Sequence, residues 1–149
     1  MNDRYHRQAN RHSAQTQSPV FDPQKSHTEL LDTLAEQQAK DLSEINSNQL
    51  RRFFGEVKEL YRRFESRIAG QPEDSEKIYR QEIEPLFKMI RSKVSYASRA
   101  GGQAKVPWDF EKFLSDGIAK VRGPDDFRLF VRHFEAVVGF LYGLDKVQK

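Results

Sequence analysis

Of the side chains that can do covalent or metal chemistry, this 149-residue chain holds few, and they are badly spaced for it. There is no cysteine, so disulfides, thiolate nucleophiles, thiolate metal sites and CxxC redox pairs are excluded together. Three of the four histidines, His6, His12 and His27, fall in a polar N-terminal stretch. The fourth, His133, stands alone in His133-Phe134-Glu135, which is not HExxH. Zinc needs three or four convergent ligands, so His133 reads as a partly exposed helix residue and no metal is expected. The acids Asp125-Asp126 and Glu82/Glu84 invite a general acid/base reading. Successive helical residues point about 100° apart, however, and acids at a helix start are ordinary partners of its dipole. No phosphate-binding loop, dinucleotide fingerprint or nucleophile elbow occurs, and Gly101-Gly102 reads as a linker. No catalytic residue, metal or cofactor is assigned, and the chain is expected not to be an enzyme.

The basic residues are the better candidates. The chain carries 25 Lys and Arg against 22 Asp and Glu, a net +3, but the excess is central. Residues 26–46 hold five acids and one base, residues 47–105 hold 13 bases and eight acids, and residues 106–149 balance at seven each. A helical wheel over residues 47–70 places Arg51, Lys58 and Arg62 on one flank beside Gly55, whose missing side chain leaves room for a close approach. Arg52–Glu56 and Glu59–Arg63 are spaced as i,i+4 pairs and read as neutralised. Between Glu84 and Asp109 there is no acid, while Lys88, Arg91, Lys93, Arg99 and Lys105 are basic. Lys88, Ser92, Ser95 and Arg99 share an outer face with Tyr96 beside it; cations interleaved with hydroxyls suit phosphate and ribose oxygens. A modest basic surface with few aromatics fits contact with a nucleic-acid backbone better than base-specific readout.

Helices must position these groups, because apolar residues recur at helical spacing and nowhere at strand spacing. Leu50, Phe53, Phe54, Val57, Leu60, Tyr61, Phe64 and Ile68 make one stripe after the polar cluster Asn46-Ser47-Asn48. Ile83, Leu86, Phe87, Ile90, Val94 and Ala97 make a second, with Pro85 expected to kink or split it. Phe110, Phe113, Leu114, Ile118 and Val121 follow Pro107. Phe127, Phe130, Val131, Phe134, Val137, Val138 and Leu141 make the last stripe, with Asp125 expected to cap it. Residues 1–28 are polar and read as a disordered tail. Residues 29–45 read as an isolated amphipathic helix with thin apolar area, and residues 46–146 as the bundle. The expected class is all-α, a compact bundle of about five helices. No apolar run is long enough to span a bilayer and MNDRYHRQANRHSAQ has no secretion core, so a soluble cytoplasmic protein is expected.

Three stretches together resemble a known family. Ser47-Asn48-Gln49-Leu50-Arg51-Arg52-Phe53-Phe54 resembles the opening helix of the small subunit of the Csm complex, the type III-A CRISPR effector, which reads Ser-Gln-hydrophobic-Arg-Lys. Leu86 to Ala97 resembles its second motif, a Lys-Pro-Lys-Leu-Ala-Tyr-Ala-like run, with Ser92 standing where the family tends to have Pro. Asp126 to Val138 resembles its closing helix, Asp-Phe-x-x-Phe-Val-x-Phe-Phe-Glu-Ala-hydrophobic-Val. The resemblance covers about residues 46–142 and leaves the N-terminal 45 outside. It implies a non-catalytic subunit that lines the inner belly of a ribonucleoprotein filament, stacks head to tail with its own copies and other subunits, and braces the guide RNA–target RNA duplex. Cleavage would belong to neighbouring subunits. By motif, Arg51 and Arg52 match the Arg-Lys pair, and Arg91, Lys93 and Tyr96 match the second motif; Lys58, Arg62, Lys88 and Arg99 rest on the wheel alone. The alternative is a helical adaptor or homodimer that uses apolar faces for protein contacts and has no RNA role.

Overall fold

Asn46 starts the longest helix by turning its side chain onto the first free amides: its Oδ1 accepts from Asn48 N–H at 2.9 Å and Gln49 N–H at 3.4 Å. In the computed structural model, which describes residues 20–99 and 105–149, this helix is α3 (Ser47–Gly70). It follows α1 (His27–Leu31) and α2 (Thr33–Asp41), and it precedes α4 (Ser75–Ile78), α5 (Glu84–Arg99), α6 (Trp108–Lys120) and α7 (Pro124–Gly143). The class is all-α. Two-residue strands β1 (Ile45–Asn46) and β2 (Val147–Gln148) pair in parallel, a contact too short to show as a sequence pattern.

Residues Tyr79–Ile83 join α4 to α5 as one π-turn, in which the Glu84 N–H reaches back to the Tyr79 carbonyl. Pro85 has no N–H, and its ring would crowd the carbonyl four residues back in a regular helix. Widening the preceding turn relieves that, so the rod from Ser75 to Arg99 is not split as Pro85 alone suggests. At α7 the start also differs from expectation: Gly123 is the cap and Pro124 the first helical residue, a position where its missing N–H costs nothing. Asp126, not Asp125, accepts a backbone N–H, from Arg122 at 3.0 Å.

The core is aromatic and centred on α7. Phe127 meets Tyr61, Phe64, Tyr79 and Phe87 at ring separations of 5.0–6.4 Å. Phe130 meets Phe87 and Phe113, and Phe134 meets Phe54, Phe110 and Phe113. Helix α6 crosses this row so closely that a Cβ on Gly117 would overlap the Phe130 ring.

The N-terminal expectation is corrected. Residues 20–28 are not tail: Phe21 is 1% exposed and lies edge-on to Phe130 at 5.2 Å and beside His133 at 5.4 Å. Nor is the 29–45 segment isolated: residues 20–45 form a strap across the bundle, with Leu30, Ala35, Gln38, Ala39 and Leu42 buried and α2 packed along α7. Two polar clamps offset its thin apolar area. The Lys146 ammonium donates to the carbonyls of Ala39, Lys40 and Leu42 at 3.1, 2.5 and 2.6 Å, closing the C-terminus of α2. Asp109 Oδ2 accepts from Ser43 N–H and Oγ–H at 2.8 and 2.6 Å. The disorder expected of residues 1–19 and the linker expected at Gly101-Gly102 lie outside the described residues.

Phe21→Ala should therefore destabilise the fold by about 3–5 kcal/mol, the usual cost of truncating a buried Phe. Deleting residues 1–25 should lower the thermal midpoint by a comparable amount. An unchanged midpoint in both would show that Phe21 does not hold the strap.

Candidate nucleic-acid interface

Helix α3 lies between α5 and α7, antiparallel to both, and its two flanks are taken up by them. Toward α7, Lys58 pairs with Glu135 at 3.4 Å and Glu65 with Arg128 at 3.1 Å, while Phe54 meets Phe134. Toward α5, Glu56 accepts from Lys93 at 3.2 Å, and Arg67 forks onto Glu82 at 3.0–3.1 Å. A third side enters the core through Leu50, Phe53, Val57, Leu60, Phe64 and Ile68. Helical spacing leaves one side open, and it carries Arg51, Arg52, Gly55, Glu59, Arg62 and Arg63, all exposed. A Cβ on Gly55 would meet nothing within 4 Å. Glycine inside a helix costs about 1 kcal/mol relative to alanine, and no contact within the described chain offsets that.

The charges on this side are distributed differently from the i,i+4 expectation. Glu56 sits on the α5 flank and takes Lys93, so Arg52 is left without an ion pair among the described residues; its guanidinium lies 5.0 Å over the Phe53 ring. Glu59 takes Arg62 at 3.3 Å, not Arg63. With side chains 70% and 65% exposed, that pair is surrounded by water and contributes little. Arg51 and Arg63 make no ion pair among the described residues. Sequence spacing gives Arg63 to Glu59, but Glu59 takes Arg62 three residues on in the same helix. Arg132 is a further cation that the sequence reading misses: it is exposed on α7, one turn before Glu135 and on the same outward stripe. The 132/135/139 spacing carries the signal for it.

The candidates on α5 divide. Lys93 and Tyr96 border the open side of α3; Lys93 is bridged to Glu56, and Tyr96 is 75% exposed. Arg99 is exposed at the helix end. Arg91 lies on the other flank, in a groove against α6. Lys88 leaves the outer face altogether. Its ammonium donates to the carbonyls of Ile118 and Val121 at 2.6 and 2.9 Å, which satisfies the C-terminal carbonyls of α6. Burial lowers its pKa, with Arg91 and Arg80 adding to that against an opposing pull from Glu84.

His133 is buried, not partly exposed, and its ring joins α7 to the strap: Nδ1–H donates to the Leu30 carbonyl at 2.5 Å. Nε2 has no partner among the described residues, and burial holds the pKa below its ordinary value against the pull of the Leu30 carbonyl. Tyr79 is likewise buried, with its hydroxyl unpartnered and its pKa raised, first by burial. Among the described residues no three His, Asp or Glu side chains are placed to hold a metal ion, and no helix is long and apolar enough to cross a membrane.

The fold is thus a helical bundle whose longest helix carries four exposed arginines on its open side. The family model Csm2 Type III-A matches residues 25–142, and the chain belongs to that family, a non-catalytic, structural small subunit of the type III-A CRISPR effector. The match begins at residue 25, so most of the clamped strap falls inside the family region rather than outside it. No curated protein and no solved structure matches the chain.

Lys88→Met should lower the thermal midpoint by several degrees, because it strips the α6 carbonyls of their donor, while RNA affinity of the folded protein should not change. For His133 the sign follows from linkage. With the folded pKa depressed, the unfolded chain takes the proton first, so the stability is full above about pH 6.5 and falls as the pH drops through the folded value. The thermal midpoint should therefore drop more between pH 8 and pH 5 in the parent than in His133→Gln, which keeps a donor for Leu30 without the titration.

Proposed function

We propose that this subunit braces the guide RNA–target RNA duplex of the type III-A complex through the open side of α3 and the adjoining edge of α5. The carrying observation is the cluster Arg51, Arg52, Arg62 and Arg63 around Gly55, with Glu59 as the one acid among them. Guanidiniums hold phosphate oxygens in a planar fork, and a glycine at their centre lets a sugar–phosphate backbone approach the helix. Lys58 and Lys93, each tied to a carboxylate across a helix seam, set the borders of that surface. Such contacts position a duplex without reading its sequence, which suits a subunit that must serve many guides.

Head-to-tail stacking is the second half of the proposal. The antiparallel packing gathers the start of α3, the ends of α5 and α7 and the start of α6 at one pole, where Tyr96, Tyr142 and Leu144 are exposed. The opposite pole carries Glu73, Asp74, Glu76 and Asp125 together with Lys77, Arg80 and Arg122, with Glu76 paired to Arg80 and Asp125 to Arg128. Exposed apolar side chains at one pole and dense, mixed charge at the other make the two ends chemically different, which supports stacking of copies in a single direction.

Single substitutions Arg51→Ala, Arg52→Ala and Arg63→Ala should each weaken RNA binding in the assembled complex by a similar factor whatever the sequence, and each should lower the log–log salt slope by up to about one. Arg67→Ala, on the α5 flank and locked to Glu82, should leave both unchanged. RNA affinity unaffected by the three variants, with no salt dependence, would favour the adaptor reading.

A further inference from the structure

On the far flank of α5 from the arginine cluster, an open groove of about 480 Å³ runs between α5 and α6. Its volume falls in the range of small-molecule sites. One wall is the indole of Trp108, 67% exposed, with the Lys112 ammonium 5.7 Å over its ring. Facing it from α5 is Arg91, exposed and without an ion pair among the described residues. Ser92 and Ser95 supply hydroxyls from α5, and the carboxylates of Glu111 and Asp116 close the α6 side.

We infer that this groove holds one unstacked nucleotide, with its base against the Trp108 indole and its phosphate on Arg91. The inference rests on the RNA-bracing reading and extends it to a second, separate subsite. Each part of a nucleotide finds its chemistry here. A base stacks on an aromatic face, and a ring already polarised by a cation on one side offers its other side. Carboxylates accept hydrogen bonds from exocyclic amino groups, which explains acids inside an otherwise basic region. Serine hydroxyls suit the ribose 2′-OH. The balance of two cations against two carboxylates disfavours a strongly charged peptide. Continuity also points to RNA: α5 has no acid from Pro85 to its end, and its Ser92, Tyr96 and Arg99 lie between the groove and the open side of α3. A base inside a duplex has both faces covered by its neighbours and cannot lie flat on an indole, so the nucleotide has to be unpaired.

Trp108 is the one tryptophan of the chain, so its emission reports on this groove and nothing else. The full chain would be titrated with octacytidylate RNA and with an abasic ribose–phosphate octamer of equal charge. Octacytidylate should quench the Trp108 emission severalfold, and the abasic octamer should leave it nearly unchanged. With labelled octacytidylate, Trp108→Ala and Arg91→Ala should each weaken binding roughly tenfold, the usual effect of losing one stacked base or one phosphate contact. The thermal midpoint should not move, since both side chains are exposed. Octacytidylate bound with Arg51-dependent affinity, but with unquenched emission and no effect of Trp108→Ala, overturns the groove and leaves the RNA reading standing. Equal quenching by both octamers overturns base stacking. No RNA binding by the parent or by any variant, Arg51→Ala included, overturns the RNA reading and this inference together. A Trp108→Ala defect confined to association with a protein subunit assigns the groove to protein and overturns the inference as well.

Discussion

Phe127, Phe130 and Phe134 lie about a turn apart on one side of α7, and nearly everything else in the bundle is placed by the rings they touch. Between them they contact Phe21 of the strap, Phe54, Tyr61 and Phe64 of α3, Tyr79 of the π-turn, Phe87 of α5, and Phe110 and Phe113 of α6. Aromatic pairs prefer edge-to-face and tilted geometries, and each adds about 0.5–1.5 kcal/mol beyond the area it buries. A core built this way fixes orientations as well as distances. Gly117 belongs to the same constraint, since only a residue without a side chain lets α6 cross at Phe130.

That packing decides where the charge can go. With α7 as the hub, α3 is held against the core by one side and sandwiched by α5 and α7 on two others, so its fourth side stays in water. Cations on the flanks are drawn into cross-helix bridges, Lys58 to Glu135 and Lys93 to Glu56, and lose their availability to a partner. Cations on the fourth side keep theirs. The result is a surface whose charge is organised by the core behind it. Lys88 shows the same logic in reverse: it sits on a basic helix, but its ammonium is committed to ending α6.

The helical stripes, the all-α class and the four-helix body are legible in the sequence because large apolar residues recur there at 3.6-residue spacing. The strap is not, because Ala35 and Ala39 bury little area and its hold depends on Phe21, Lys146 and Asp109, which are distant in sequence from the segments they secure. The face of α7 that receives the strap is also hidden: Leu129 and His133 lie off the main stripe. Within the candidate site, Arg51, Arg52 and Arg62 are legible from the wheel or from the resemblance. Partner choice is not, since Glu56 and Glu59 each have two cations in reach and only the placement of α5 selects Lys93 for Glu56. Arg63 drops out of the wheel reading because i,i+4 spacing assigns it to Glu59, which instead takes Arg62 in the same helix. The groove at Trp108 needs two helices side by side before Arg91 has anything to face.

The central claim is that the open side of α3 faces RNA in the assembled complex. A photoreactive benzophenone side chain at position 55 tests it directly, because a Cβ there meets nothing within 4 Å among the described residues. On irradiation of the assembled ribonucleoprotein, crosslinks from position 55 should join the subunit to guide or target RNA. Crosslinks solely to protein subunits would contradict the account.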